Sequence, residues 1–266
     1  MKISIVIPTK NEEALLPKLL ESIRAQDFDD FEVIVADAFS SDRTRLIAKD
    51  YDARIVDGGL PGAGRNAGAS VAQGEFLIFL DADVIIPKGF LKNLYSEMQK
   101  KYIDVATCAI VPLSNIRLDL IIHRIINFTV FALLRVDPKA FGFCIFITKR
   151  LFERIGGFDE SIKFAEDNDL VKRASAYRPL CYLRSTFLRV SVRRFEKEGR
   201  LTYTAKGIWL NVYRAFRGEI RHGNKITEYE FGGYDNIKKR KKTLDKIEDK
   251  LIKNSRKQKN NLIINN

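Results

Sequence analysis

Histidine and cysteine, which together build most protein zinc sites, are scarce in this chain. Its 266 residues include two histidines, His123 and His222, and three cysteines, none in a metal-binding spacing. A histidine-rich zinc site and a paired-histidine mechanism are therefore disfavoured. The odd number of widely separated cysteines argues against a complete set of disulfides, so we expect reduced thiols in a cytoplasmic protein.

The chain also lacks an uninterrupted apolar run of the length that crosses a membrane. Residues 117–135 are apolar around most of a helix, but His123, Arg124 and Asn127 interrupt them as one narrow polar stripe. A spanning helix needs about 20 predominantly apolar residues. Two interpretations remain open: a helix buried under a sheet, which we favour slightly, and an interfacial helix lying on a bilayer. Residues 1–8 do not have the pattern of a signal peptide and are expected to form a strand.

Acidic residues are outnumbered, but the excess of positive charge is unevenly distributed. The net charge is +12, and residues 238–266 alone contribute eleven Lys or Arg against three acids, which leaves +4 for the rest. Such a tail gives salt-dependent affinity for polyanions, yet it lacks the aromatic residues that stack on single strands, so no specific nucleic acid partner is expected. We expect residues 218–266 to form a basic C-terminal extension that is partly disordered from residue 238. Together with the apolar helix it predicts peripheral association with an anionic membrane, at its cytoplasmic face.

The first half of the chain alternates regularly between apolar runs and helical patterns. The runs at residues 3–7, 31–36, 53–56, 76–80 and 105–110 are short and nearly all apolar, as is typical of strands covered on both faces. Helices are predicted between them at about 12–26, 42–49, 64–72 and 90–100, the first opened by a capping box from Thr9 to Glu12. This order predicts an α/β fold with a doubly wound, mostly parallel central sheet and helices on both faces.

Two carboxylates, Asp81 and Asp83, directly follow the fourth predicted strand. Side chains two residues apart on a strand point to the same side, and ligands of open α/β sheets bind beyond the carboxyl ends of the strands. Hard oxygen ligands suit Mg²⁺ or Mn²⁺, which substrate phosphates and water complete. The alternative, that the two aspartates only cap the following turn, is equally compatible with their spacing.

Six segments in a fixed order carry a resemblance. They are Ser-Ile-Val-Ile-Pro-Thr-Lys-Asn-Glu-Glu at 4–13, Glu-Val-Ile-Val-Ala-Asp at 32–37, Gly-Ala-Gly-Arg-Asn-Ala-Gly at 62–68, Asp-Ala-Asp at 81–83, Gly-Gly-Phe-Asp-Glu at 156–160 and Glu-Asp at 166–167. Together they resemble the inverting family 2 glycosyltransferases of the GT-A fold. The resemblance covers residues 1–217, and we expect residues 1–110 to bind the nucleotide-sugar and residues 111–217 the acceptor.

The resemblance implies a role for each matching residue. Asp167, with Glu166 as the alternative, is expected to be the catalytic base at a helix N-terminus, and Asp83 the ligand of a Mn²⁺ or Mg²⁺ ion. The expected donor-binding residues are Pro8, Thr9, Glu12, Asp37, Arg65, Asp81 and Asp83. Residues expected on the acceptor or phosphate side are Gly142, Gly157, Arg193 and Arg194; a solvated helix face is the alternative for the two arginines.

The sequence also departs from the family pattern. Ala38 and Phe39 follow Asp37 where many members have a second Asp and a Gly, which leaves the donor open. No Gln-x-x-Arg-Trp motif is present, which favours transfer of a single sugar over processive synthesis. We therefore expect a metal-dependent, inverting transferase that moves one hexose from a nucleotide diphosphate-sugar to a glycan or lipid-linked acceptor. The alternatives are a nucleotidyltransferase acting on sugar phosphates and a basic polyanion-binding protein.

Overall fold

The structure is a computed structural model that describes residues 1–162, 164–217 and 252. The predicted C-terminal extension, including the basic tail and His222, therefore lies outside the described residues apart from residue 252. The predicted division at residue 110 falls inside a strand, Val105–Pro112, and both predicted halves contribute strands to one sheet.

Strands and helices alternate through the described chain. The strands are β1 Ile3–Thr9, β2 Phe31–Asp37, β3 Arg54–Asp57, β4 Phe76–Phe79, β5 Val84–Ile85, β6 Val105–Pro112, β7 Ile145–Thr148 and β8 Cys181–Val190. The helices are α1 Leu16–Arg24, α2 Thr44–Asp50, α3 Pro61–Val71, α4 Phe90–Lys100, α5 Arg117–Leu133, α6 Lys149–Arg154, α7 Glu166–Ser175, α8 Arg193–Glu198 and α9 Arg200–Arg217. A short 3₁₀ turn, Gly142–Cys144, precedes β7.

The strands form one sheet in the order β3-β2-β1-β4-β7-β6-β8-β5. β1 pairs in parallel with β2 and β4, β2 with β3, and β6 with β8, whereas β7 runs antiparallel to β4 and β6. The predicted doubly wound, mostly parallel sheet is confirmed. The carboxyl ends of β1, β2 and β4 meet at one edge of the sheet, where ligands of such folds bind.

Alternating side chains of the strands contribute to two hydrophobic cores, one on each face of the sheet. Ile3, Ile5 and Ile7 of β1 pack with the apolar sides of α1 and α4. Val6, from the same strand, points to the other core, which α3, α6 and α7 cover. Period-two alternation on a strand whose residues are all buried is what a sheet covered on both faces requires.

Several local predictions were wrong at their boundaries. α1 begins at Leu16 and not at residue 12, and the capping box is absent because the Glu12 side chain binds Arg193 instead of the helix backbone. α3 begins at Pro61, three residues before the predicted start, since proline suits the first turn of a helix. Beyond these predictions, Gly199 separates α8 from α9, because a helix does not allow its φ of +85°.

The favoured interpretation of residues 117–135 as a buried helix was also wrong. In α5 the polar residues Asp119 and His123 are buried, whereas Ile121, Ile125 and Phe128 are exposed. Asn127 contributes to this orientation, because its amide group binds both the backbone N–H and the C=O of Ile110 in β6. Arg124, the third residue of the predicted polar stripe, is exposed. Among the described helices, none is both long and apolar enough to cross a membrane.

Candidate active site

Asp81 and Asp83 lie in the turn between β4 and β5, beyond the end of the strand at Phe79. The expectation that both side chains project from one strand face was therefore wrong. They remain close enough that the charge of Asp81 contributes to raising the pKa of Asp83. Each aspartate binds a different arginine, so the turn stands between two ion-pair clusters.

The first cluster is centred on Arg193, at the start of α8. Its two terminal nitrogens donate to the two carboxylate oxygens of Glu12 at 2.7 and 2.9 Å, and its Nε donates to Oδ2 of Asp83 at 2.9 Å. Burial raises the pKa of both Glu12 and Asp83, and the charge of Arg193 opposes that rise. Arg193 thus joins the segment after β8 to the loop after β1 and to the turn after β4, which excludes a solvated helix face for it. Arg194 lies near enough for its charge to act on Asp83 in the same direction.

The second cluster is centred on Arg65, in α3. Its Nη2 donates to Oδ1 of Asp81 at 2.8 Å, and its Nη1 donates to Oε1 of Glu166 at 3.0 Å. The guanidinium lies 5.5 Å from the centre of the Phe158 ring and is only 3% exposed. Arg65 therefore connects the turn after β4 with the first residue of α7.

Asp167 follows Glu166 in the first turn of α7. Its Oδ2 accepts a hydrogen bond from the backbone N–H of Gly142 at 2.8 Å, and its Oδ1 accepts one from the N–H of Asn168. Burial, followed by repulsion from the Glu166 carboxylate, raises the pKa of Asp167 to about 7. A carboxyl group that titrates near neutral pH is suited to accepting a proton during a reaction.

Asp37 lies at the carboxyl end of β2 and is fully buried. Its carboxylate accepts hydrogen bonds from Thr9 Oγ1 at 3.1 Å and from the backbone N–H of Ser40 at 3.0 Å, and it pairs with Arg45 at 3.3 Å. Pro8 and Thr9 end β1 directly beside Ala36 and Asp37 of β2. The loop after β2 is thereby tied to the end of β1, and it presents the largely exposed Phe39 with a φ of +57°.

Two predicted glycines are required where other residues would collide with the site. A Cβ on Gly142 would lie 2.7 Å from Nη2 of Arg65. A Cβ on Gly157 would lie 2.7 Å from Oδ1 of Asn66, and its φ of +68° also favours glycine. Asn66 holds this turn on α3 by accepting from the N–H of Phe158 and donating to its C=O.

The residues available to hold a divalent ion are the two aspartates of the turn. In the described part of the chain, no three His, Cys, Asp or Glu side chains form a metal-binding group. Arg65 and Arg193 each occupy one oxygen of a carboxylate, and the described residues donate no hydrogen bond to Oδ2 of Asp81 or Oδ1 of Asp83. Two hard oxygen donors at the ligand-binding edge of the sheet fit Mg²⁺ or Mn²⁺ ions that substrate phosphates and water complete.

The structure brings most of the predicted residues together and adds others. Sequence reasoning missed the pairing of Glu12 with Arg193, the contact of Arg65 with Glu166, and the role of Asn66 in fixing the glycine turn. The separations involved are 181, 101 and 92 residues, so no local pattern could have found these pairs.

Comparison with known proteins identifies relatives of this chain. The model of the family described as "Glycosyl transferase family 2" matches residues 4–151. The poly(ribitol-phosphate) beta-N-acetylglucosaminyltransferase TarS of Staphylococcus aureus is 36% identical over 115 residues, which are 40% of this chain and 20% of TarS. The GalNAc(5)-diNAcBac-PP-undecaprenol beta-1,3-glucosyltransferase of Campylobacter jejuni is also 36% identical over 115 residues, which are 39% of this chain and 37% of that enzyme. The chain thus covers well under two thirds of these curated relatives.

Solved structures support the same fold. The crystal structure of S. aureus TarS superposes with a TM-score of 0.62 at 24% identity, over 81% of this chain and 44% of TarS. The mannosyltransferase PcManGT of Pyrobaculum calidifontis, in complex with GDP-Man and Mn²⁺, superposes with a TM-score of 0.55 at 20% identity, over 78% of this chain and 64% of that protein. The fold of this chain is therefore the GT-A fold.

Proposed function

This chain belongs to glycosyl transferase family 2, and on that premise we propose that it transfers a single sugar from a nucleotide diphosphate-sugar to an acceptor, with inversion at the anomeric carbon. The observation that carries the proposal is the bridge made by Arg65. It ties Asp81, in the donor-side turn, to Glu166, the neighbour of the carboxyl group with a pKa of about 7. The turn proposed to bind phosphate and the carboxyl group proposed as the base would thereby belong to one site.

Asp167 is proposed as the catalytic base. Its carboxylate accepts the proton of the acceptor hydroxyl while that oxygen forms a bond to the anomeric carbon. The bond from the anomeric carbon to the diphosphate oxygen breaks, and the nucleoside diphosphate leaves with the electron pair. The N–H of Gly142 holds one oxygen of Asp167, and Glu166 pairs with Arg65. Burial, followed by the charge of Glu166, raises the pKa of Asp167 to about 7.

The donor is proposed to bind along the carboxyl ends of β1, β2 and β4. Asp37, held by Thr9 and Ser40, would recognise the nucleoside, and the exposed ring of Phe39 would stack on its base. Asp83, with Asp81 beside it, would hold a Mn²⁺ or Mg²⁺ ion, which when bound neutralises charge on the leaving diphosphate. One neighbour, TarS 1-349, is known in complex with UDP-GlcNAc, which makes this sugar nucleotide a reasonable first donor to test.

Arg65 is better explained as a positioning residue than as a phosphate ligand. Its guanidinium is almost fully buried and already binds two carboxylates, so it orients Asp81 and Glu166. Arg193 and Arg194 remain the candidates for contact with phosphate, because Arg193 is more exposed and Arg194 lies near Asp83. Gly142 and Gly157 are proposed to shape the acceptor side.

The acceptor is proposed to be a glycan or a lipid-linked sugar at the cytoplasmic face of a membrane. The C. jejuni relative carries undecaprenol in the name of its substrate, which supports this class. The basic tail, to which sequence reasoning also assigned membrane contact, lies outside the described residues.

A donor screen tests the proposed activity directly. UDP-, GDP- and dTDP-sugars are incubated with the protein and Mn²⁺, and release of the nucleoside diphosphate is followed. We expect the wild type to hydrolyse the sugar nucleotides of one class slowly. The Asp83→Asn variant should hydrolyse the same donor at least about a hundredfold more slowly than the wild type. Release of pyrophosphate from an NTP and a sugar phosphate, with no hydrolysis of any sugar nucleotide, would instead identify a nucleotidyltransferase.

A further inference from the structure

We propose that the exposed sides of α5 and α9 form a docking surface for an anionic membrane. The lipid contact does not depend on the transfer reaction, whereas its consequence for the acceptor rests on the proposed function. Three observations carry the proposal: the reversed orientation of α5, the distribution of charge on both helices, and the aromatic residues of α9.

The exposed side of α5 carries large apolar residues, whereas Asp119 and His123 are buried. Ile121, Ile125 and Phe128 follow one another at spacings of four and three residues and therefore share one face of the helix. Phe128 is 72% exposed, although the helix could have buried these residues against the sheet. Instead, Asn127 fastens the helix to Ile110 with two hydrogen bonds and keeps this face outward. Large apolar residues held outward in a row mark an interaction surface.

Positive charge accompanies this apolar face. The single acid of α5, Asp119, is buried and pairs with Arg200 of α9 at 3.1 Å. Exposed positions of α5 include Arg117 and Arg124, and no Asp or Glu occurs anywhere in α9. A protein partner would bury a core depleted of charge, whereas basic side chains beside apolar ones suit a helix lying on anionic lipid.

α9 presents a second exposed apolar side. Ile208, Trp209, Val212 and Phe216 lie on it at helical spacing, and Phe216 is 84% exposed. Trp209 stacks on Tyr213 with ring centres 5.5 Å apart, and both rings are partly exposed. Tryptophan and tyrosine favour the boundary between membrane and water because each has an apolar ring and one polar group.

The two helices are connected to each other and to the candidate site. Arg200 binds Asp119 at the beginning of α9, and Tyr203 packs with Leu118 of α5 in a small apolar cluster. α8, which carries Arg193 of the site, leads into α9 through Gly199. The proposed surface is therefore joined to the candidate site through α8, and a lipid-linked acceptor would be presented at the same membrane.

Vesicle binding of the full chain tests the surface. The wild type, Ile125→Gln/Phe128→Gln, Trp209→Gln/Phe216→Gln and Arg124→Gln are mixed with vesicles of phosphatidylglycerol or phosphatidylcholine, and bound protein is measured by flotation. Leu46→Gln/Tyr102→Gln is the matched control, because it removes two exposed apolar side chains elsewhere. Circular dichroism and slow donor hydrolysis confirm that the variants are folded and have an intact donor site.

We expect the wild type to bind phosphatidylglycerol vesicles and not phosphatidylcholine vesicles. Each apolar double variant should bind at least about tenfold more weakly, Arg124→Gln about twofold to fivefold more weakly at low salt, and the control like the wild type. Wild-type binding to neither vesicle, or equal binding by the apolar double variants, would overturn the proposal. Self-association of the protein is measured by sedimentation. If the apolar double variants abolished self-association and left vesicle binding unchanged, the surface would be an interface between copies of this chain, and the proposal would be overturned. Loss of vesicle binding with unchanged donor hydrolysis would leave the proposed activity intact.

Discussion

The two arginine clusters beside the Asp81–Asp83 turn have the same composition, one arginine between two carboxylates, but opposite distributions of burial. Arg65 is 3% exposed, and its partners Asp81 and Glu166 are more open at 22% and 18%. Arg193 is 21% exposed, and its partners Glu12 and Asp83 are less open at 8% and 12%. In the Arg65 cluster the cation is the most deeply buried charge, whereas in the Arg193 cluster the anions are.

This difference assigns different tasks to the two clusters. A buried guanidinium must keep its carboxylates, because an unpaired charge away from water is costly. Arg65 therefore holds the Asp81–Asp83 turn and α7 in a fixed position relative to each other. The buried carboxylates of Glu12 and Asp83 need a nearby cation. Because Arg193 is partly exposed, a divalent ion, alone or bound to the diphosphate, can replace part of its contact with them. The Arg193 cluster is thus the part of the site that we expect to change when the donor binds.

Removing the anions from each cluster should give the largest contrast. Asp81→Asn/Glu166→Gln removes the two carboxylates that the buried Arg65 binds at 2.8 and 3.0 Å, and we expect the free energy of unfolding to fall by about 3–5 kcal/mol. Glu12→Gln/Asp83→Asn removes two buried carboxylates and leaves a partly exposed arginine, so a change within about 1 kcal/mol is expected. Urea denaturation measures both, and equal losses would show that the two clusters do not differ.

Gly142→Ala should disturb the Arg65 cluster by steric contact, without changing any of its charged residues. The new Cβ would lie 2.7 Å from the guanidinium, which is buried and bound to Asp81 and Glu166, so a shift of the guanidinium disturbs both ion pairs. We expect a loss of about 1–3 kcal/mol in stability together with reduced transfer. Gly207→Ala is the control, because a Cβ there meets no atom within 4 Å and lies inside α9. A Gly142→Ala protein as stable and active as the wild type would mean that the contact with Arg65 is not tight.

The pH dependence of transfer should report the base beside the Arg65 cluster. Only the deprotonated form of Asp167 accepts a proton, and burial together with Glu166 raises its pKa to about 7. Activity should therefore rise as pH increases through about 7 and level off above it, with a rate at pH 6 about tenfold below the plateau. Glu166→Gln removes the repulsion and should move the rise to lower pH. A profile that is flat from pH 5 to 8 would exclude this assignment.

Arg193→Gln should have the smallest effect, on binding of the ion. Without the Arg193 guanidinium, Asp83 loses a competing partner, and we expect Mn²⁺ to bind about fivefold more tightly in the absence of nucleotide. Titration calorimetry measures this affinity directly, with Arg189→Gln as the control because Arg189 is an exposed arginine of β8. Unchanged or weaker binding of Mn²⁺ would show that Arg193 does not compete with the ion.

The sequence was sufficient for the sheet and insufficient for the contacts between distant segments. Apolar runs such as Ile3–Thr9 and helices such as Phe90–Lys100 follow from local patterns, because burial on a strand or a helix face imposes its own period. The turn that contains Asp81 and Asp83 was found from residue type and order. Its position beyond the strand, and the binding of each aspartate to its own arginine, depend on packing that no local window contains.

The orientation of α5 also depends on contacts with distant residues that the sequence alone does not reveal. Its apolar composition favoured burial, and its three polar residues were read as an interruption. In the structure, the Asn127 side chain binds the backbone of Ile110, which lies beyond the residues of β6 that pair with β7, and Asp119 pairs with Arg200. These contacts hold α5 in an orientation that leaves several apolar side chains exposed. The period of the polar stripe was visible in the sequence, but the partners that hold it were not.

Parallel measurements on Asp83→Asn and Asp167→Asn test the central claim most directly. The donor identified by the screen is used to measure binding of its nucleoside diphosphate with Mn²⁺ and transfer to water or acceptor. We predict that Asp167→Asn binds the nucleotide like the wild type and loses transfer by about a thousandfold, whereas Asp83→Asn loses both binding and transfer. Wild-type transfer by Asp167→Asn, or nucleotide binding unaffected by Asp83→Asn, would contradict the roles given to these two carboxylates.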